Sequence, residues 1–383
     1  MCEILFILEK ANSYALIRKL KMRGDVEMEQ SLQQVQLNGE EMEKTFEQFK
    51  EASSRPVGLT HCKEVKVGGD SGKSYTKLCL EYSKGGEKVL LYYSLPTSYE
   101  MHEQKAALDG VHEIIINGVR YLVGGSQLLS NQRDKSERTK ELPLHRICLI
   151  TGICKLLEEN KIKTDNIKLT VNMPLADFKN KEKQQSLINF YQSAQKVRVQ
   201  YKKEEYKFTF KVLPYYEGIG AILNKQEEFA DKEVLALDFG SLNVGYATFS
   251  KLKPNIQTSG TLNEGVNRLF YRIRKALSEN GVNIGMNEEQ LKEIIKGESE
   301  IVSETTQRLV NKEVIDFLDS VYAELLNLGA DVDYSHLLII GGGTNLYRSF
   351  IPLVFKKAHE LGQIHFIDNP EFANALGSLR LIG

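Results

Sequence analysis

Residues 235–249 read LALDFGSLNVGYATF, and residues 68–77 read GGDSGKSYTK. The first is an apolar run of strand length, then Asp238, a glycine-bearing turn and a second run rich in β-formers, which predicts strand, tight turn, strand. In the second, Asp70-Ser71-Gly72 matches Asp238-Phe239-Gly240 at the head of its own β-rich run. A glycine-rich turn exposes several backbone N–H groups in one concavity, and Ser71, Lys73 and Ser74 add donors, a combination suited to polyphosphate. Two carboxylates at two strand ends, each beside such a turn, can face one another over a cleft and hold a hydrated Mg2+ on a triphosphate. Either segment alone is weak, and it is the pairing that carries weight. A Walker A loop is the wrong reading of residues 68–74, because three residues rather than four separate Gly68 from Gly72 and a β-rich run follows where that loop needs a helix.

Outward from this pair the chain alternates strands and helices, which favours an α/β architecture. The runs KSYTKLCLEY and KVLLYYSL flank Gly85-Gly86, and EIIINGVRYLVGG carries Asn117-Gly118, both turn signatures of hairpins. ELPLHRICLITGICKLLEEN has helical spacing, DNIKLTVNMPL reads as a strand ending in a loop, and KEKQQSLINFYQSA reads as a helix. The second half restarts the scheme at residue 233 and continues through three helical segments, NEGVNRLFYRIRKALSE, NEEQLKEIIK and TTQRLVNKEVIDFLDSVYAELLNLG. HLLIIGGGTNL then gives a buried strand running into Gly341, Gly342 and Gly343, where the missing Cβ atoms let a nucleoside approach the backbone. A helix over Ile351 to His359, a strand IHFID and a closing segment PEFANALGSLRL complete the chain. Two halves that each open on a strand, an Asp and a glycine turn amount to a weak internal repeat.

The remaining composition narrows the class. Lys and Arg number 50 against 51 Asp and Glu, so bulk attraction to nucleic acid is not expected. No apolar run reaches the ~20 residues that span a bilayer, and the opening CEILFIL lacks the basic flank of a signal peptide. Five cysteines without a CxxC pair fit a reducing cytoplasm and argue against a disulfide framework. The stretch GEEMEKTFEQFKEA spaces Met42, Phe46 and Phe49 as an amphipathic helix, and Pro56 marks the end of an acidic, Gln-rich appendage.

In order along the chain these segments resemble the ATPase superfamily of actin, sugar kinases and heat-shock chaperones, and within it the bacterial actin-like plasmid-partitioning ATPases of the ParM family. GDSGKSYTK looks like the first phosphate loop, INGVRYLVGG and VNMPLADF like two family strands, and LPYYEGIGA like the segment bearing the catalytic Glu. LALDFGSLNVGYATF resembles the second phosphate loop, SGTLNEGVNRLF a nucleoside-side helix start, IIGGGTNL the adenosine loop and NPEFANALGSLR the closing helix.

The resemblance implies an actin-like α/β fold of two domains, each a mixed sheet flanked by helices, with a nucleotide cleft between them. Residues 1–62 would be an extension, fused or regulatory, 63–230 the first domain, and 231–383 the second, its C-terminal helix packing back on the first. Ser71, Gly72, Lys73 and Lys77 would lie at one phosphate loop and Gly240, Ser241 and Asn243 at the other. Asp70 and Asp238 would hold Mg2+ through water, and Glu217, separated from Pro214 by two tyrosines, would orient the attacking water. Gly265, Lys292, Gly341, Gly342, Gly343 and Thr344 would surround the nucleoside. The implied function is a cytoplasmic, filament-forming ATP hydrolase that segregates plasmid DNA through a DNA-binding adaptor, without direct membrane contact, with GTP as the alternative nucleotide. A small-molecule kinase of the same superfold is the rival, and it would need a catalytic Asp near a sugar pocket; Asp165 and Asp177 read instead as solvated charges. A chaperone-like or cell-shape relative is a second alternative, of which the chaperone would need a further substrate domain.

Overall fold

The computed structural model describes residues 59–102, 110–125, 140–192, 196–282, 287–299 and 302–382. The chain divides into residues 1–58 and a compact unit from Leu59 to Gly383. The expected helix within residues 39–52, the boundary near Pro56 and Cys2 lie outside the described residues. Thr60 and His61, counted above with the extension, form a short strand β1 (Thr60–His61) paired in parallel with Ile162–Lys163, so the compact unit takes in this segment.

Thereafter the strands are β2 (Val65–Ser71), β3 (Tyr75–Lys84), β4 (Glu87–Pro96), β5 (Tyr99–Met101), β6 (His112–Ile116), β7 (Val119–Val123), β8 (Ile162–Lys163), β9 (Asn166–Met173), β10 (Val197–Tyr201) and β11 (Glu204–Tyr216) in the first half. The second half holds β12 (Glu233–Phe239), β13 (Val244–Ser250), β14 (Lys253–Leu262), β15 (His336–Ile340) and β16 (Ile364–Phe366). One sheet runs β4-β3-β2-β9-β11-β10-β6-β7-β5 and the other β14-β13-β12-β15-β16. In each, an antiparallel three-strand meander is followed by two strands parallel to its first member. The weak repeat in the sequence is thus a repeated five-strand order, with β2 and β12 in equivalent places. β15 is buried over nearly its whole length, which is why HLLII reads as a continuous apolar run, whereas β9 alternates in sequence and buries its polar Thr170 and Asn172 as well as its apolar residues.

The helices, in chain order, are α1 (Pro143–Glu159), α2 (Leu175–Phe178), α3 (Lys181–Tyr191), α4 (Ile219–Asn224), α5 (Gln226–Phe229), α6 (Val266–Glu279), α7 (Glu288–Lys296), α8 (Glu304–Asn327), α9 (Thr344–Tyr347), α10 (Ile351–Val354), α11 (Lys356–Glu360) and α12 (Ala373–Ser378). α1 starts on Pro143 and lays Leu144, Ile147, Cys148 and Leu149 into the core of the first sheet. A Cβ on its Gly152 would sit 2.0 Å from a Leu78 methyl, so the helix lies close on β3. α6, α7 and α8 cover one face of the second sheet, and Tyr216, Ile222 and Phe229 pack on its other face. The expected single helix from Ile351 to His359 is two short ones, because buried Phe355 between them takes a non-helical ψ of 53°. Among the described residues, Cys62, Cys79, Cys148 and Cys154 form no disulfide.

Candidate functional site

Both halves end their first strand on a carboxylate and a turn, and the strand ends of α/β sheets are where ligands collect. At the end of β2, Asp70 lies opposite Lys77 of β3, whose ammonium is 3.5 Å from Asp70 Oδ2. Burial works against the charge of Lys77, yet Asp70, Asp238 and Glu371 together hold its pKa above the ordinary lysine value. Lys77 therefore sits between the carboxylates that the sequence placed on opposite loops. At the end of β12, Asp238 is opposite Gly245 of β13 and Ile340 of β15. Burial, then the negative charges of Asp70 and Glu217, push its carboxyl up to about 6, against the pull of Lys77 and of the Asn374 amide, which donates to Asp238 Oδ2 at 2.8 Å.

Ser71 is fully buried and uses all its polar atoms inside the protein. Its N–H donates to Asn172 Oδ1 (2.8 Å), its carbonyl accepts from Lys140 Nζ (2.6 Å), and its hydroxyl is 2.8 Å from His145 Nδ1. Burial, Lys140 and Lys73 drive the His145 pKa well down. Gly72 turns the chain, its N–H reaching the Asp70 carbonyl, and a Cβ there would meet the Tyr75 carbonyl oxygen at 2.5 Å. Ser74 donates across the cleft to the hydroxyl of Ser241 at 2.8 Å, so the two glycine turns touch.

Gly240 closes the second turn, its N–H bonding the Asn243 carbonyl at 2.9 Å. The first N–H groups of α6, from Val266 and Asn267, bond the carbonyls of Gly240 and Ser241, and a Cβ on Gly265 would collide with residues 241–243. Gly265 thus abuts the second turn. Gly341, at φ +91°, packs on Asp238 so closely that a Cβ would lie 2.3 Å from its Oδ1; Gly343 donates to the Phe239 carbonyl, and Gly342 faces open space. Thr344 is buried, and its hydroxyl has no partner among the described residues. Lys292, on α7, pairs with Glu289 one turn away, at 2.5 Å. α7 also touches α9, which begins at Thr344.

Glu217 follows β11 directly, and its Oε1 accepts from Asn172 Nδ2 (3.1 Å) and pairs with Lys140 Nζ (3.2 Å). The same Asn172 Nδ2 donates to Asp70 Oδ1 at 2.9 Å. The structure therefore joins Asp70, Lys77, Ser71 and Glu217 in one network on the first sheet and brings Asp238 and Gly341–Thr344 against it. Asn172, Lys140, His145, Asn374 and Glu371 complete the site and were not singled out from the sequence. Asn172 lay inside the quoted VNMPLADF strand end, but nothing in its neighbours marked it as the hub. Asp165 is exposed and pairs with Lys196, and the partly buried Asp177 pairs with Lys183.

Four carboxylates, of Asp70, Asp238, Glu217 and Glu371, crowd Lys77 and Lys140. The pushed-up carboxyl of Asp238 registers that crowding, and among the described residues no group of three or more His, Cys, Asp or Glu side chains is gathered to hold a metal ion directly.

The family model for the N-terminal domain of actin-like proteins matches residues 68–220. No curated protein sequence matches the chain. Among solved structures it is similar to an Alp12 filament structure, at 23% identity over 83% of this chain and 98% of that one, with a TM-score of 0.62. It is also similar to the apo pSK41 ParM protein (16% identity, 83% and 97% covered, TM-score 0.61) and to Ta0583, an archaeal actin homolog in complex with ADP (16%, 83% and 99%, TM-score 0.61). No helix of the described residues is long and apolar enough to cross a membrane. The chain is thus actin-like in fold and matches, over residues 68–220, the N-terminal domain of the actin-like proteins.

Proposed function

We propose that the chain binds Mg-ATP in the cleft between its two sheets, hydrolyses it, and couples the nucleotide state to assembly into filaments that separate plasmid DNA through a DNA-binding adaptor. The observation that carries this reading is the pair of strand-end carboxylates, Asp70 and Asp238, gathered around Lys77 with Glu217 joined to the same network. Ta0583, with its ADP, and Alp12, with its filament, support the nucleotide and the assembly respectively. A magnesium ion would supply positive charge to the β and γ phosphates. Asp70 and Asp238 would hold that ion through its water shell, and Lys77, together with those N–H groups of the two turns that are not already bonded within the protein, would face the phosphate oxygens. Glu217 takes the hydrogen bond of the attacking water as its oxygen bonds to the γ phosphorus and the bond to the β,γ-bridging oxygen breaks, leaving ADP and inorganic phosphate, which keeps the water's oxygen and its protons. Gly341, Gly342, Gly343 and Thr344 flank the nucleoside, with Gly265 and Lys292 at its margin, and the reaction takes place in the cytoplasm.

Filaments follow from head-to-tail contacts that do not close. Purified protein should scatter light strongly with ATP, weakly with ADP and not without nucleotide, with filaments visible by electron microscopy. No assembly at concentrations well above micromolar, combined with ATP turnover stimulated by a sugar panel, would favour the kinase. Glu217→Gln should slow hydrolysis about 100-fold with ATP affinity nearly unchanged, since the carboxylate acts on water in the transition state. Its filaments should outlast those of the wild type; disassembly at the wild-type rate would remove Glu217 from the role.

A further inference from the structure

Two residues touch both the first phosphate turn and Glu217. Asn172 accepts from the Ser71 N–H and donates to Glu217 Oε1, while Lys140 donates to the Ser71 carbonyl and pairs with that same Oε1. Both bonds to Glu217 fall on one oxygen. The Lys140 side chain is only 7% exposed, and a buried ammonium is costly unless its donors are used, so the geometry around it is fixed. Here its partners are one peptide carbonyl and one carboxylate oxygen, which reach it from β2 and from the end of β11.

We propose that Lys140 is a positioning residue for hydrolysis: by tying Glu217 Oε1 back to Ser71, it leaves Oε2 as the atom that receives the attacking water. A displaced phosphate turn shifts the Ser71 carbonyl, hence Lys140, hence the aim of Glu217. Hydrolysis is thereby made conditional on the first turn being in place. This rests on the reading of Glu217 as the water-orienting carboxylate.

The test is a double-mutant cycle on the full chain, with single-turnover ATP hydrolysis and nucleotide titrations as readouts. Lys140→Met keeps the apolar stem and removes the charge; melting curves check that it folds, and Lys140→Arg is the second variant. Lys140→Met is expected to slow hydrolysis about 10- to 100-fold, with ATP and ADP affinities within about threefold of wild type. Lys140→Arg should recover much of the rate. In a Glu217→Gln background, Lys140→Met should add little, because the group it aims is already gone. A multiplicative loss in the double variant, or a selective loss of ATP over ADP affinity, would overturn the proposal, the latter by making Lys140 a direct phosphate ligand. An unchanged rate in Lys140→Met would also overturn it. If Glu217→Gln alone turns over like wild type, it is the assignment of Glu217 that fails, and the proposal falls with it.

Discussion

Asp238→Asn is expected to move two properties in opposite directions, lowering ATP turnover about 100- to 1000-fold while making the nucleotide-free protein more stable. The loss of turnover follows from removing one of two carboxylates that hold the metal's water shell. The gain in stability follows from the same charge: it is disfavoured by burial and repelled by Asp70 and Glu217, so the carboxyl titrates near 6 rather than 3.8. The folded chain holds this proton more tightly than the unfolded chain does. The carboxyl's contribution to stability is therefore fully present below about pH 4 and is lost as pH rises through about 6. The neutral amide does not suffer this loss, and it can still take the Asn374 hydrogen bond. Above pH 7 the variant should be about 1–2 kcal/mol more stable, with the gap closing toward pH 4. Urea denaturation at pH 4.5, 6 and 7.5 measures this. A variant less stable than wild type at pH 7.5, or one with near-normal turnover, would show that Asp238 is not the strained member of a metal site.

That opposition was not visible in the sequence, although its ingredients were. The strand, Asp and glycine turn at residues 235–240 could be read because a central strand buried on both faces is a continuous apolar run, and a polar residue at its end stands out. Gly85-Gly86 and Asn117-Gly118 could be read for a similar reason: all four adopt positive φ, and their residue types announce it. The hairpin of β10 and β11 turns instead on Lys202 at φ +53°, and that of β13 and β14 on Lys251 and Leu252 at +49° and +64°. No local residue type signals those turns; the strands on either side impose them. Asn172 and Asn374 escaped notice because their meaning lies in residues far along the chain, Asp70 and Glu217 for one, Asp238 and the Gly218 N–H for the other. An asparagine at a strand end or helix start reads as a cap or a turn until the fold brings a carboxylate to it. Lys140 is the sharpest case, a lysine among polar neighbours in sequence that becomes a buried cation only when β2 and β11 close around it.

Gly377→Ala is expected to cost more stability than any single change in the catalytic network, at least about 3 kcal/mol, because the added methyl has no side chain to push aside. Its Cβ would stand 1.6 Å from the Gly220 carbonyl oxygen and 2.3 Å from the carbonyl carbon. The contact is reciprocal, since a Cβ on Gly220 would lie 2.2 Å from the Asn374 carbonyl oxygen, and one on Gly68 would lie 1.9 Å from that of Ala375. Three glycines on β2, α4 and α12 thus let three backbones meet where the two halves join. To reach an ordinary contact distance, α12 must retreat by more than an ångström, and Asn374 rides on it. That residue donates to Asp238 and accepts from the N–H of Gly218, the neighbour of Glu217, so its retreat loosens both carboxylates at once. Nucleotide-stimulated turnover should therefore fall with stability, whereas Gly342→Ala, with nothing within 4 Å of its Cβ, should stay within about 0.5 kcal/mol of wild type. Urea denaturation of both variants separates a steric lock from a general intolerance of glycine substitution. A Gly377→Ala protein as stable as Gly342→Ala would mean that the two helices can part without cost and that the close approach of α4 and α12 does not hold the halves in register.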